Sequence, residues 1–126
     1  MINRPQFFLL DGKTPVACSD VLEWAAAFDI SNRRVALDDI DGIEISTVFL
    51  GLDHNYQLQG PPILFETMVF DDSEHGGSMR RYATWDEAET GHRWVVNETR
   101  LFLAQATERA DSLLSHLIGL SGRINL

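Results

Sequence analysis

Two short apolar arms open the chain, Phe7-Phe8-Leu9-Leu10 and Thr14-Pro15-Val16-Ala17, on either side of Asp11-Gly12. Asp-Gly supplies the positive φ angles of a tight turn, so a β-hairpin is predicted, and Pro15 confines the second arm to a sheet edge. Val21, Trp24, Ala25 and Phe28 then fall at i, i+3, i+4 and i+7. This spacing predicts a short amphipathic helix with one buried face, capped by Asp20 with Glu23 three residues on and ended over Asp29 to Asn32. Three extended segments follow: Arg33 to Leu37, Ile43 to Leu50 and Ile63 to Phe70. In the second, Ile43, Ile45, Thr47 and Phe49 alternate with Glu44, Ser46, Val48 and Leu50, so the strand starts two-faced and ends apolar on both sides. Asp41-Gly42 marks the turn before it, and Arg80 to Ala83 adds a strand after a turn at Gly76-Gly77.

From Thr84 the period changes to that of a helix. Thr84-Trp85-Asp86-Glu87 is a capping box with acidic residues in the first turn, where the helix dipole favours them. A seam runs through Ala88, His92, Val95, Thr99, Phe102 and Ala106, steps by four to Ala110, and resumes at Leu113, Leu117 and Leu120. No proline interrupts it, and Gly91 is the only strong helix weakener before Gly119. One helix over Thr84 to Ile118 is about 50 Å long, against a radius of gyration of about 14 Å for a compact domain of this size. Its end must overhang the sheet, and the overhang carries more apolar surface than a monomer tolerates. It either folds back near Asn97 to Arg100 as a helical hairpin or packs on a second copy. The expectation adopted is a homodimer through Phe102, Ala106, Ala110, Leu113 and Leu117. The predicted fold is therefore α+β: an antiparallel four- to five-stranded sheet with one short helix and a long C-terminal helix. Residues 1–100 form the α+β domain, and residues 101–126 extend the last helix as an oligomerising segment.

Composition adds limits. With 126 residues, 44% of them apolar, the chain builds one core without staples. No window reaches the roughly 20 apolar residues of a membrane span, and Cys18 is the sole cysteine, so no internal disulfide forms and a cytoplasmic setting is expected. Nineteen acidic against ten basic side chains leave a net charge of −9. That charge repels phosphate backbones, arguing against direct nucleic-acid binding, and suits docking on a basic surface.

Candidate chemistry is sparse. The loop Gly51 to Pro62 gathers Asp53, His54, Asn55 and Tyr56. Asp53 and His54 are neighbours and point apart on an extended chain. His54 reaching Glu66 would make a general base, whereas hydrogen bonds within the turn are the plainer role for His54. Glu66 is a buried acid or base, or else it stands on the exposed edge or pairs with Arg80 or Arg81. Arg81, Tyr82 and Trp85, with Arg80, His92, Arg93 and Trp94, place cations and aromatic rings near one end of the sheet, a combination that holds phosphates or bases when it converges. The candidate ligand-binding set is thus Asp53, His54, Glu66, Arg81, Tyr82 and Trp85. The four histidines, His54, His75, His92 and His116, lack metal-ligand spacing, and no phosphate loop or nucleophile elbow is present. No metal, cofactor or catalytic residue is expected.

Ser46 to Asn55, Gly60 to Phe70 and Arg81 to His92 together read STVFLGLDHN, GPPILFETMVF and RYATWDEAETGH. This wording resembles a group of small uncharacterised proteins encoded by tailed phages and prophages, and it covers most of residues 7–96. The resemblance implies a cytoplasmic setting in a phage host. It further implies an accessory protein that acts by binding, as an inhibitor of a host defence or nucleic-acid-handling complex such as a CRISPR effector. The alternative is a nucleotide-like ligand, or a small enzyme, using a pocket around His54 and Glu66.

Overall fold

The structure, a computed structural model, describes residues 4–29, 33–71 and 79–124, with side chains as far as residue 119. The predicted Gly76-Gly77 turn, His75 and the Leu120 side chain lie outside the described residues. The fold is α+β, with a two-stranded sheet, a four-stranded sheet, one short helix and one long C-terminal helix.

Strands β1 (Phe7–Asp11) and β2 (Thr14–Cys18) form the predicted hairpin, paired from Phe7↔Cys18 to Asp11↔Thr14. They stay a separate ribbon, which accommodates Pro15, since both of its strands are edges. Helix α1 (Val21–Ala27) is capped by Asp20, whose Oδ1 accepts from the amides of Leu22 and Glu23 at 2.9 and 3.3 Å. The predicted buried face of α1 is corrected, because no residue of the helix is buried and Val21 is 48% exposed. Instead its aromatic end clamps one point of the body. The Trp24 indole donates to the Gly51 carbonyl at 3.1 Å, and the Trp24 ring contacts those of Phe7 and Phe28. Gly51 has φ 74°, and a Cβ there would overlap the Phe28 ring, so this position requires glycine.

Strands β3 (Arg34–Ile40), β4 (Ile43–Phe49), β5 (Phe65–Phe70) and β6 (Met79–Tyr82) form an antiparallel meander in chain order. The strand predicted from Ile63 begins at Phe65, and the one predicted to end at Leu37 runs to Ile40. Asp41 (φ 52°) and Gly42 (φ 88°) make the tight β3–β4 turn, which needs two consecutive positive φ angles. Helix α2 (Trp85–Ile124) is 40 residues long and continuous, about 60 Å at 1.5 Å per residue. No helical hairpin forms near Asn97 to Arg100. The Glu87 amide donates to Thr84 Oγ1 at 3.1 Å, and the Thr84 hydroxyl donates to Glu87 Oε1, closing the predicted cap.

Because strand side chains alternate, Ile45, Thr47 and Phe49 of β4 and Phe65 and Thr67 of β5 face α2. One core cluster joins Phe8, Phe49, Leu64, Phe65 and Ala88, and a second joins Ile45, Val95 and Val96, with Ile40 and Val69 packed against it. α2 meets the sheet through Ala88, His92, Val95 and Val96; Thr99 and Leu103 are half-buried, and from Ala104 to Gly119 every residue is exposed.

Candidate functional site

Asp53 is an organiser of its loop. Its carboxylate accepts from the Asn55 and Ile63 amides at 2.8 and 3.0 Å and from Arg4 Nε at 2.7 Å, tying together the two ends of the loop and the chain before β1. Burial pushes the Asp53 carboxyl up, but the Asn55 amide, the Arg4 guanidinium and the Ile63 amide more than offset it and hold the group below its ordinary value. A depressed carboxyl contributes stability above its unfolded-state value, near about 4, and loses it as pH falls through the lower folded-state value. Asp53→Asn is therefore expected to cost about 2–3 kcal/mol at pH 7. The gap to the wild type narrows below about pH 4, as urea melts across that range will show.

The other members of the candidate set take separate partners. His54 Nδ1 bonds the Leu52 carbonyl at 2.8 Å, within its own turn. Arg81 Nε donates to Glu66 Oε2 at 3.0 Å, on the sheet face opposite α2. On the α2 side, the Tyr82 hydroxyl donates to Thr67 Oγ1 at 3.1 Å, while the Trp85 indole donates to Glu89. Glu66 and Arg81 thus meet each other, whereas His54 and Glu66 are each satisfied elsewhere. Among the described residues no group of three or more His, Cys, Asp or Glu could hold a metal ion.

A buried polar chain crosses the core beneath α2. His92, 3% exposed, bonds Asp38 Oδ2 through Nε2 and Thr47 Oγ1 through Nδ1, both at 2.7 Å. Thr47 Oγ1 in turn bonds Thr67 Oγ1, which Tyr82 reaches. A carboxylate only accepts, so Nε2–H donates to Asp38, and with the ring neutral Nδ1 accepts from the Thr47 hydroxyl. Thr67 then donates to Thr47 and Tyr82 to Thr67, so every proton in the chain points toward Asp38. The order Asp38, His92, Thr47 is that of an orienter, a base and a hydroxyl nucleophile. Thr47, however, is 0% exposed and its oxygen is already occupied by Thr67. No substrate atom can approach it, and the chain serves to satisfy polar groups buried by the helix.

Where α2 leaves the sheet, a groove of 490 Å³ opens, lined among others by Ile43, Val69, Met79, Trp94 and Phe102. Asp71, Glu98 and Arg80 complete its polar rim, and the Arg80 guanidinium lies 4.0 Å over the Trp94 ring. Beside it, the β3–β4 turn carries Asp39, Asp41 and Glu44, with Asp39 directly opposite Glu44. This sheet end is therefore strongly acidic. Residues 97–126 hold three arginines and three carboxylates, so the whole surplus of nine negative charges lies in residues 1–96.

Beyond the groove α2 is bare. Leu113, Leu114, Leu117 and Ile118 are 57–70% exposed, and Phe102, Ala106 and Ala110 are exposed with them. At 100° per residue Phe102, Ala106, Ala110, Leu113 and Leu117 continue, in line, the face that packs on the sheet at Ala88, His92 and Val95, and Leu114 and Ile118 widen it on one side. Phe102, which lines the groove, and the half-buried Leu103 stand on the two sides of this stripe between Thr99 and Ala106.

No protein-family model matches the chain, and neither a curated protein nor a solved structure is significantly similar to it. No helix among the described residues is long and apolar enough to cross a membrane.

Proposed function

We propose that the protein acts by binding: it forms a homodimer through the bare half of α2 and docks its acidic sheet end on a basic protein surface. The observation that supports this reading is the division of labour along one chain. The nine surplus negative charges sit on the sheet body, while the overhang is charge-balanced and apolar along one face. A carboxylate-rich surface competes for the arginines and lysines that otherwise hold phosphates. With the resemblance to phage and prophage proteins, the target class is a host nucleic-acid-handling or defence complex of the CRISPR-effector kind, which the protein would inhibit in the host cytoplasm. A small-molecule site around His54 and Glu66 draws less support, since each already has its own partner.

The test is titration into target-DNA binding assays of purified CRISPR effector complexes, comparing the wild type with Asp39→Asn/Asp41→Asn/Glu44→Gln. These replacements keep acceptor atoms, including the one that receives the Gly42 amide. The expected result is inhibition that competes with DNA, weakens with salt, and is reduced about tenfold or more in the variant. Inhibition unchanged by the three substitutions, or none against any effector class, would overturn the reading.

A further inference from the structure

We infer that the second copy docks antiparallel, so that the tip of each overhanging helix fills the groove at the root of the other. This rests on the homodimer reading and specifies its geometry. Three observations carry it. First, the bare stripe of α2 continues the stripe that packs on the sheet, so the missing cover lies where the sheet would extend; the apolar groove of Ile43, Val69 and Trp94 marks the point where that cover stops. Second, Ala106 and Ala110 form a small-residue notch midway between the root at Thr99 and Leu117 near the tip. Antiparallel pairing centred on residue 108 sets Ala106 against the second copy's Ala110, Leu103 against its Leu113, and Thr99 against its Leu117. Small residues then meet at the crossing, where they allow close approach of the two helices. The large side chains of the tip meet the groove. Third, the net charge lies entirely on the bodies. Parallel pairing would hold two bodies of like charge side by side. Antiparallel pairing separates the two roots by about 27 Å at 1.5 Å per residue, well beyond the screening length of about 8 Å at physiological salt.

The groove is therefore half of a site that a second copy completes, and not an open pocket. The arrangement is read by spin labelling Asn97→Cys, an exposed position at the root, in a Cys18→Ser background, with pulsed dipolar distance measurement. Antiparallel pairing places the two labels roughly 30–40 Å apart, from the rise per residue. A distance under about 20 Å, the span of two adjacent helices with their side chains, would mean parallel pairing and overturn this geometry while leaving the dimer intact. Absence of a dipolar signal, together with a monomer mass by light scattering, would overturn the dimer reading as well. Ala110→Glu, at the crossing and remote from the sheet body, is expected to abolish the dimer with the body's far-UV signal retained. A variant that stays dimeric would also overturn the geometry.

Discussion

His92→Ala is expected to lower the free energy of unfolding by about 3–5 kcal/mol, a large fraction of the roughly 5–15 kcal/mol that holds a small domain together. The imidazole fills space between α2 and the sheet, so its removal leaves a cavity that neither element can close alone. It also leaves the Thr47 hydroxyl, fully buried between the strands, without the acceptor to which it donates. Asp38 suffers less. Its side chain is 45% exposed, and water replaces the lost imidazole. Asp38→Ala is accordingly expected to cost about 1 kcal/mol. Urea melts followed by far-UV circular dichroism separate the two. Equal losses for both variants would show that the exposed carboxylate, and not burial of the ring, dominates.

The second large effect sits one residue earlier. Gly91 is a poor helix former, and alanine at an ordinary helical site would gain up to about 1 kcal/mol. Here a Cβ would fall inside the Tyr82 ring, which passes directly against the helix backbone. The ring has little freedom to yield, because its hydroxyl closes the Thr67–Thr47–His92 chain. Gly91→Ala is therefore expected to destabilise by about 2–3 kcal/mol, the reverse of the propensity argument. Tyr82→Ala removes the obstacle. In the double variant Gly91→Ala should cost little or nothing, a coupling of at least about 2 kcal/mol between the sites. Additive losses would locate the cost elsewhere than in this contact.

Both sites show how far the one-dimensional pattern carries. Gly91 reads in the sequence as a weak point in a strong helix, and only the tertiary approach of Tyr82 explains it. His92 reads as a member of an apolar seam, and that is itself a signal: a polar residue on a buried helical face, with threonines central in two strands, implies a hydrogen-bonded chain between them. Its other partner, Asp38, lies 54 residues away. Nothing local distinguishes it from Asp39, because their difference is which face of β3 each occupies.

The sequence by itself determined the elements that rest on local chemistry. The Thr84 cap, the Asp41-Gly42 turn, the alternation in β4 and the helical period after Thr84 each depend on residues within a turn or two of one another, so spacing alone reveals them. The tertiary structure decided what spacing leaves open. It decided that α1 clamps Gly51 through aromatic rings instead of burying a face. It assigned Asp53 to holding its loop closed, Glu66 to Arg81 and His54 to its own turn, so the candidate ligand set does not converge. It also decided that the groove at the root of α2 forms where the sheet ends and the helix does not. The physical reason is the same throughout: a polar side chain takes the partner that burial and the pairing of distant strands bring within hydrogen-bond reach, and that choice is made in three dimensions.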